Sequence, residues 1–238
     1  MKFLKKHKKF LLLIVIFSSV LIIYKNNNKN DICYTSLGDG FAKGIDSYGQ
    51  EDYGYSDYLK DYLKEANRLN VYSKDFTDKE YMINTLYADI IMDKKGKTNI
   101  KQTLRESKIV TLSIGLNDLL YKLSVTENIN QYKLEKIISD IDKSLDVLLE
   151  EINKYYKGKI YIIAYYYKKT DNYYLTEGVK KLNELYKNKK NIIYISSEKV
   201  ENNYQKYFLN PSSLYPNREG YMEIYKEIAL KISKKLEK

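Results

Sequence analysis

Two apolar segments on either side of a long amphipathic helix constrain the fold of this chain more than any other feature. Residues 108–114 (KIVTLSI) and 159–166 (KIYIIAYY) carry no charge after their first lysine. Strands of this kind are buried on both faces, which is typical of a parallel sheet. Between them, apolar residues recur at helical spacing before Gly158: Leu134, Ile137, Ile138, Ile141, Leu145, Leu148, Leu149 and Ile152. The segment therefore predicts a strand–helix–strand unit.

The rest of the sequence continues this alternation. Further strands are predicted at residues 31–37, 70–73 and 191–195, and further helices at 57–69, 83–92, 100–106, 175–187 and 221–236. Strands that alternate with helices over short connections favour a parallel sheet with helices on both faces. We therefore expect an α/β fold in which a five-stranded parallel sheet is the middle layer of a three-layer α/β/α sandwich.

The first 30 residues predict a membrane anchor that precedes this sandwich. Residues 2–9 (KFLKKHKK) are basic, and residues 10–24 form an uncharged apolar run. As a helix this run reaches about 22 Å, and its flanking lysines and Tyr24 extend it toward the ~30 Å of a hydrocarbon core. Because no small-residue cleavage site follows, we predict an uncleaved signal anchor, with a cleaved signal peptide as the alternative.

The basic flank of this segment sets the predicted orientation. Lysines next to a membrane helix favour the cytoplasmic side, so the chain from about residue 25 onward is expected outside the cytoplasm. This gives a single-pass protein of the cell membrane with an extracellular C-terminal domain. Residues 1–30 are then a cytoplasmic basic tail, a transmembrane helix and a linker, and residues 31–238 form one domain.

Composition excludes several classes of function. The net charge is +10, but residues 1–30 hold seven lysines and no acid, so the remainder has 34 basic and 31 acidic residues. That balance does not indicate a nucleic-acid-binding surface. A single cysteine excludes an intramolecular disulfide framework and a cysteine-rich zinc site. We expect no metal and no cofactor. The one histidine, His7, lies on the cytoplasmic side of the predicted anchor.

Three segments that follow strands or precede the last helix carry the candidate chemistry, because ligands of open parallel sheets bind at the carboxyl ends of the strands. They are residues 36–44 (SLGDGFAKG), 113–118 (SIGLND) and 210–220 (NPSSLYPNREG). In this order they resemble the SGNH (GDSL-type) hydrolase family, whose members have Gly-Asp-Ser, Gly-x-Asn-Asp and Asp-x-(x-)His-Pro-Asn segments at these places. The resemblance extends over residues 31–238.

The resemblance implies a fold and an activity. The family has a flavodoxin-like three-layer sandwich and usually hydrolyses acyl esters. A serine attacks the carbonyl carbon, a histidine takes the serine proton, an aspartate orients the histidine, and backbone amides with an asparagine side chain bind the oxyanion.

Residue by residue, the resemblance gives a domain without the triad. Gly40 stands at the position of the nucleophile and Tyr215 at that of the histidine. The acid position is Ser212 or Ser213, depending on the spacing that applies. Tyrosine titrates near pH 10 and is a poor general base near neutrality. The family's second block maps loosely near Glu80.

The positions that match the family, among them Gly38, Gly115 and Asn117, shape its pocket. Asp39, Gly40, Gly115 and Asn117 are the predicted ligand-binding, oxyanion-like residues. We predict a membrane-anchored, catalytically degenerate domain that binds a cell-envelope ligand: an acylated glycan, a lipid or a protein partner. The alternative is an active esterase, lipase or acyltransferase with a non-standard nucleophile in the same pocket. Tyrosines in loops or at strand ends are candidates to line its mouth: Tyr48, Tyr53, Tyr55, Tyr165, Tyr166, Tyr167, Tyr173 and Tyr174.

Overall fold

Five parallel strands form one sheet in the order β2-β1-β3-β4-β5. The computed structural model describes residues 31–166, 172–210 and 213–236. The strands are β1 (Ile32–Gly38), β2 (Leu69–Thr77), β3 (Ile109–Ser113), β4 (Ile160–Ile163) and β5 (Ile192–Ile195). The predicted five-stranded parallel sheet is therefore confirmed, and its order is that of a flavodoxin-like fold.

Helices pack in two layers, one on each face of the sheet. One layer contains α1 (Gly40–Lys43), α2 (Tyr55–Glu65), α8 (Glu198–Asn202), α9 (Tyr204–Tyr207) and α10 (Arg218–Leu236). The other contains α3 (Ile83–Ile91), α4 (Ile100–Glu106), α5 (Leu116–Val125), α6 (Gln131–Tyr155) and α7 (Tyr173–Lys187). The predicted three-layer arrangement is confirmed.

The predicted anchor at residues 10–24 lies outside the described residues. Within the residues that the structure describes, no helix combines the length and the apolarity needed to cross a membrane.

The sequence pattern explains where the core lies. Every residue of β3 and β4 is buried, as expected for central strands covered on both faces. On α6 the buried residues follow the predicted apolar stripe, with Glu151 as a buried addition. Strand β2 is longer than the predicted 70–73. It lies at the sheet edge, and most of its residues are exposed or only partly buried, so no clear apolar pattern marks its ends.

The carboxyl ends of β1 and β3 meet at the switch point of the sheet. The chain leaves β1 toward β2 and leaves β3 toward β4, so a crevice opens between their connections. Gly38 has a φ of +118°, and a Cβ there would lie 1.8 Å from the carbonyl oxygen of Ser113. The next amide, of Asp39, donates to that same oxygen at 2.8 Å. The glycine thus lets the two strand ends touch.

Candidate functional site

Asp39 is the buried polar centre of the switch point. It caps helix α1, and its Oδ1 accepts hydrogen bonds from the Phe41 amide at 3.1 Å and from the Ser113 hydroxyl at 2.8 Å. Its Oδ2 accepts from the hydroxyl of Tyr165, which follows β4. The carboxylate thus ties together the ends of three neighbouring strands.

Burial dominates the electrostatics of this carboxyl group. The side chain is 2% exposed, and burial raises the pKa of Asp39 to about 7. The three donors from Tyr165, Ser113 and Phe41 lower its pKa in opposition, and the charge of Asp118 raises it slightly further. Asp39 therefore changes its protonation near neutrality without contact with solvent.

The aromatic ring of Tyr215 lies directly over Gly40. A Cβ at Gly40 would lie 2.4 Å from the Tyr215 hydroxyl oxygen and 2.6 Å from two of its ring carbons. Ordinary contacts between carbon atoms are about 3.5–4.0 Å. The ring therefore occupies the space into which a side chain at position 40 would project.

Local contacts hold Tyr215 in this position. Its carbonyl oxygen accepts from the Ser47 hydroxyl at 2.9 Å, and its amide donates to the Ser213 hydroxyl oxygen at 3.0 Å. Its ring packs against Phe41, with 5.5 Å between the ring centroids. Burial, with the charges of Asp39 and Glu80, raises the pKa of the Tyr215 hydroxyl above its usual 10, so the phenol stays protonated at neutral pH.

Of the two candidate acid positions, only Ser213 is described. Its hydroxyl donates to the Tyr215 carbonyl oxygen at 3.2 Å while it accepts from the Tyr215 amide. Ser213 thus stabilises the turn that presents Tyr215. Ser212 lies outside the described residues.

Asn117 holds a loop at the edge of the site. Its Nδ2 donates to the carbonyl oxygens of Lys79 and Tyr81, each at 2.9 Å. A side-chain amide has two hydrogens, so both are used in these contacts. The segment around Glu80, where the sequence placed the family's second block, therefore lies beside Asn117, and the charge of Glu80 acts on Tyr215.

Gly115 and Asp118 complete this corner. Gly115 precedes α5 with a φ of +115°, a conformation that favours glycine, and Tyr186 donates to the adjacent Ile114 carbonyl at 2.5 Å. Asp118 accepts from the Ile83 amide at 3.1 Å and so caps the start of α3. Burial raises the pKa of Asp118. The two carboxylates of the site, Asp39 and Asp118, thus both accept hydrogen bonds from other groups of the protein.

Comparison with known proteins shows which solved structures have a similar architecture. No protein-family model matches the sequence, and no curated protein sequence matches it. Among solved structures, a lipase from a goat rumen metagenome has a TM-score of 0.66, with 17% identity over 84% of this chain and 96% of that chain. A catalytic mutant of Axe2, an acetylxylan esterase from Geobacillus stearothermophilus, has a TM-score of 0.59, with 17% identity over 84% and 93%.

A member of the lipolytic G-D-S-L family from Veillonella parvula gives a TM-score of 0.57, with 16% identity over 84% of this chain and 96% of that chain. The fold is that of the GDSL-type lipases and esterases. At this level of identity the likeness establishes the architecture, and the chemistry has to be argued from the side chains.

The GDSL-type fold brings together most of the residues that the sequence singled out. Asp39, Gly40 and Tyr215 form one cluster, and Gly115 and Asn117 lie at the next strand end. Sequence reasoning missed the role of Tyr165. Tyr165 was a candidate for the mouth of the pocket, but it is fully buried and bonded to Asp39.

Other hydroxyl and thiol groups of β1 are placed away from this cluster or inside the core. Ser36 is fully buried and accepts from the Thr111 hydroxyl at 3.3 Å. Thr35 shares a 2.7 Å hydrogen bond with Ser107. Cys33 is near the amino end of β1, about 17 Å from its carboxyl end at the strand rise of ~3.3 Å per residue. Burial raises the pKa of the Cys33 thiol, which disfavours the thiolate.

Proposed function

We propose that this chain is a membrane-anchored domain of GDSL-type fold that binds a ligand of the cell envelope without cleaving it. The position of Tyr215 carries this proposal. Its ring fills the space above Gly40. The nucleophile's position is a glycine without a side chain, and the position of the base holds a protonated phenol. Acyl transfer by the serine mechanism requires a nucleophile with a base in hydrogen-bond reach.

The oxyanion-binding role that the family resemblance implies for Asn117 is also weakened. An oxyanion donor must present its N–H group to the reacting atom. Both amide hydrogens of Asn117 bind backbone carbonyls instead. Among the described residues of β1, Ser36 and Cys33 do not offer an accessible, activated group to replace the serine. These contacts favour binding over hydrolysis with a non-standard nucleophile.

Anchoring and ligand class are the remaining parts of the proposal. The apolar run at residues 10–24 with its basic flank supports a single membrane pass with the domain outside the cytoplasm. A domain in that place meets lipids and acylated glycans, and the structurally similar proteins include a lipase and an acetylxylan esterase. Retention of the full chain in membranes after an alkaline wash, with protease access to the domain from outside, tests the anchoring.

An esterase assay tests the absence of catalysis. The purified full chain in nonionic detergent is compared with the buffer on aryl acetate and aryl butyrate. A grafted variant carries Gly40→Ser, Ser213→Asp and Tyr215→His together, and its matched control carries Gly40→Ala with the same two changes. A second graft uses Ser212→Asp as the acid.

We expect the wild type to equal the buffer and the grafted serine variant to exceed its alanine control. That result means that the pocket's shape is present and only the reacting groups are missing. Turnover by the wild type that follows the protein through gel filtration would overturn the proposal. The alanine control separates turnover by the grafted serine from a general effect of the other two substitutions.

A further inference from the structure

A cavity lies where the strands of the sheet begin, at the opposite end of the strands from the GDSL-type site. Its volume is about 390 Å³, within the range of small-molecule sites. It is lined by residues at the starts of β1, β3 and β4, by the segment that follows α6, and by Ile232 of α10. The strand length of five to seven residues places it roughly 15–20 Å from the switch point.

The rim of this cavity is strongly cationic. Arg68, Arg105, Lys108 and Lys157 line it, and Asp31 is the one carboxylate among its described lining residues. Asp31 is already engaged, because its Oδ2 accepts from Lys108 at 2.5 Å. A surplus of about three positive charges on a concave surface attracts anions.

One arginine of the rim lacks the hydrogen bonds that its geometry offers. The Nε of Arg68 and the Oδ1 of Asp31 form an ion pair at 3.9 Å, but in the described part of the chain neither of these buried atoms has a hydrogen-bond partner. An anionic ligand group has oxygens that can accept from the Arg68 Nε and so supply its missing hydrogen-bond partner.

Arg105 is the second cation with free donors. Its guanidinium carbon lies 5.0 Å from the centroid of the Tyr155 ring, and no ion pair joins it to a carboxylate among the described residues. The chain has only three arginines among 41 basic residues, and two of them line this cavity. The third, Arg218, binds Asp52 in a bidentate pair. Arginine presents a planar fork of donors that fits phosphate and carboxylate groups.

The wall below this rim is apolar. Ile32, Ile109, Tyr156, Tyr161 and Ile232 line the cavity. A ligand that fits both parts has an anionic head and a hydrocarbon portion. We propose that this cavity binds a single-chain anionic amphiphile of the membrane lipids, with its head group on Arg68 and Arg105 and its chain against the apolar wall.

The position of the cavity in the chain favours a lipid as the source, and this part rests on the proposed membrane anchoring. Asp31 lines the cavity and is joined to the predicted anchor by residues 25–30. Six residues span at most about 20 Å when fully extended. With the proposed anchoring, Asp31 lies within about 20 Å of the membrane surface, so lipid head groups come within reach of the cavity that it lines.

Calorimetric titration of the full chain with a water-soluble probe tests the site. Hexyl phosphate combines both parts of the ligand, inorganic phosphate supplies the head alone, and hexanol supplies the chain alone. Arg105→Gln removes an exposed cation whose recorded partner among the described residues is the Tyr155 ring, so the fold is expected to tolerate it. Arg105→Lys keeps the charge and removes the fork. Lys136→Gln, an exposed position about 28 Å away along α6, is the matched charge control.

We expect saturable binding of one hexyl phosphate, at least tenfold tighter than inorganic phosphate or hexanol. Arg105→Gln is expected to weaken it at least tenfold, Arg105→Lys less, and Lys136→Gln not at all. Absence of saturable binding, equal loss in the Lys136 variant, or equally tight binding of inorganic phosphate would each overturn the proposal. Because the probe is water-soluble, such a failure leaves the absence of catalysis and the anchoring as separate questions.

Discussion

The contact between Gly40 and Tyr215 makes a prediction about stability that does not involve catalysis. Gly40→Ala adds a Cβ at 2.4–2.6 Å from three atoms of the Tyr215 side chain, so the ring must move by about 1 Å. Overpacking of this kind costs about 1–3 kcal/mol, and the lower entropy of the unfolded chain returns about 0.4–1 kcal/mol. We expect a net loss of about 1–2 kcal/mol in the free energy of unfolding.

The sign of this effect reverses when the ring is removed. Tyr215→Ala deletes a half-buried ring, at an expected cost of about 2–3 kcal/mol. In that background Gly40→Ala meets open space and is expected to stabilise the protein by about 0.4–1 kcal/mol. The double-mutant cycle therefore has a coupling energy of about 1.5–3 kcal/mol, with the double variant more stable than the sum of the single changes.

Urea unfolding of the full chain in nonionic detergent measures all four corners of the cycle. Tyr132, which is 76% exposed on α6, supplies the control. Gly40→Ala and Tyr132→Ala are expected to be additive within about 0.5 kcal/mol. An equal cost of Gly40→Ala with and without the Tyr215 ring would refute the reasoning, because it would mean that the ring does not fill the space above Gly40.

Two further predictions concern the polar groups of the site. Because the pKa of Asp39 is about 7 in the folded protein and 3.8 is its ordinary value, the folded state binds more protons between these values, and this contribution to stability is full below about pH 4. This contribution falls by about 1.4 kcal/mol per pH unit up to about pH 7. Urea unfolding at pH 4.5, 5.5 and 6.5 is therefore expected to show a declining free energy of unfolding, and Asp39→Asn is expected to flatten that decline. A parallel decline in the variant would contradict Asp39 as its origin. Asn117→Ala removes the two hydrogen bonds to the loop at residues 79–81 and is expected to cost about 1–2 kcal/mol in the same assay, with faster hydrogen exchange of that loop; a free Asn117 amide would instead leave both unchanged.

The sequence predicted the sheet and most helices because burial leaves a periodic pattern. Strand β3 is buried at every residue and reads as a continuous apolar run, and α6 repeats its apolar residues at helical spacing. The edge strand β2 was predicted too short because its polar, half-exposed residues weaken this pattern. The spacing of apolar residues shows which face of a strand is buried, but it does not show where a half-exposed strand begins and ends.

The site was predictable as a set of residues and not as a set of contacts. Spacing placed Asp39 and Asn117 at strand ends, but it does not give the direction of a side chain. The Tyr165 hydroxyl reaches Asp39 across 126 positions of sequence. The one local signal for the cavity at the opposite edge was composition, since arginine is rare in this lysine-rich chain and two of its three copies fall there.

Gly40 and Tyr215 are best understood as one structural unit and not as two independent absences. Tyr215→His alone would leave a void over Gly40, because an imidazole is smaller than a phenol and position 40 has no side chain to fill the space. Gly40→Ser alone would force a side chain into the tyrosine ring. Each single change is therefore less favourable than the two together. A serine at position 40 requires the ring to move, so the packing of Tyr215 over Gly40 disfavours a side chain at that position.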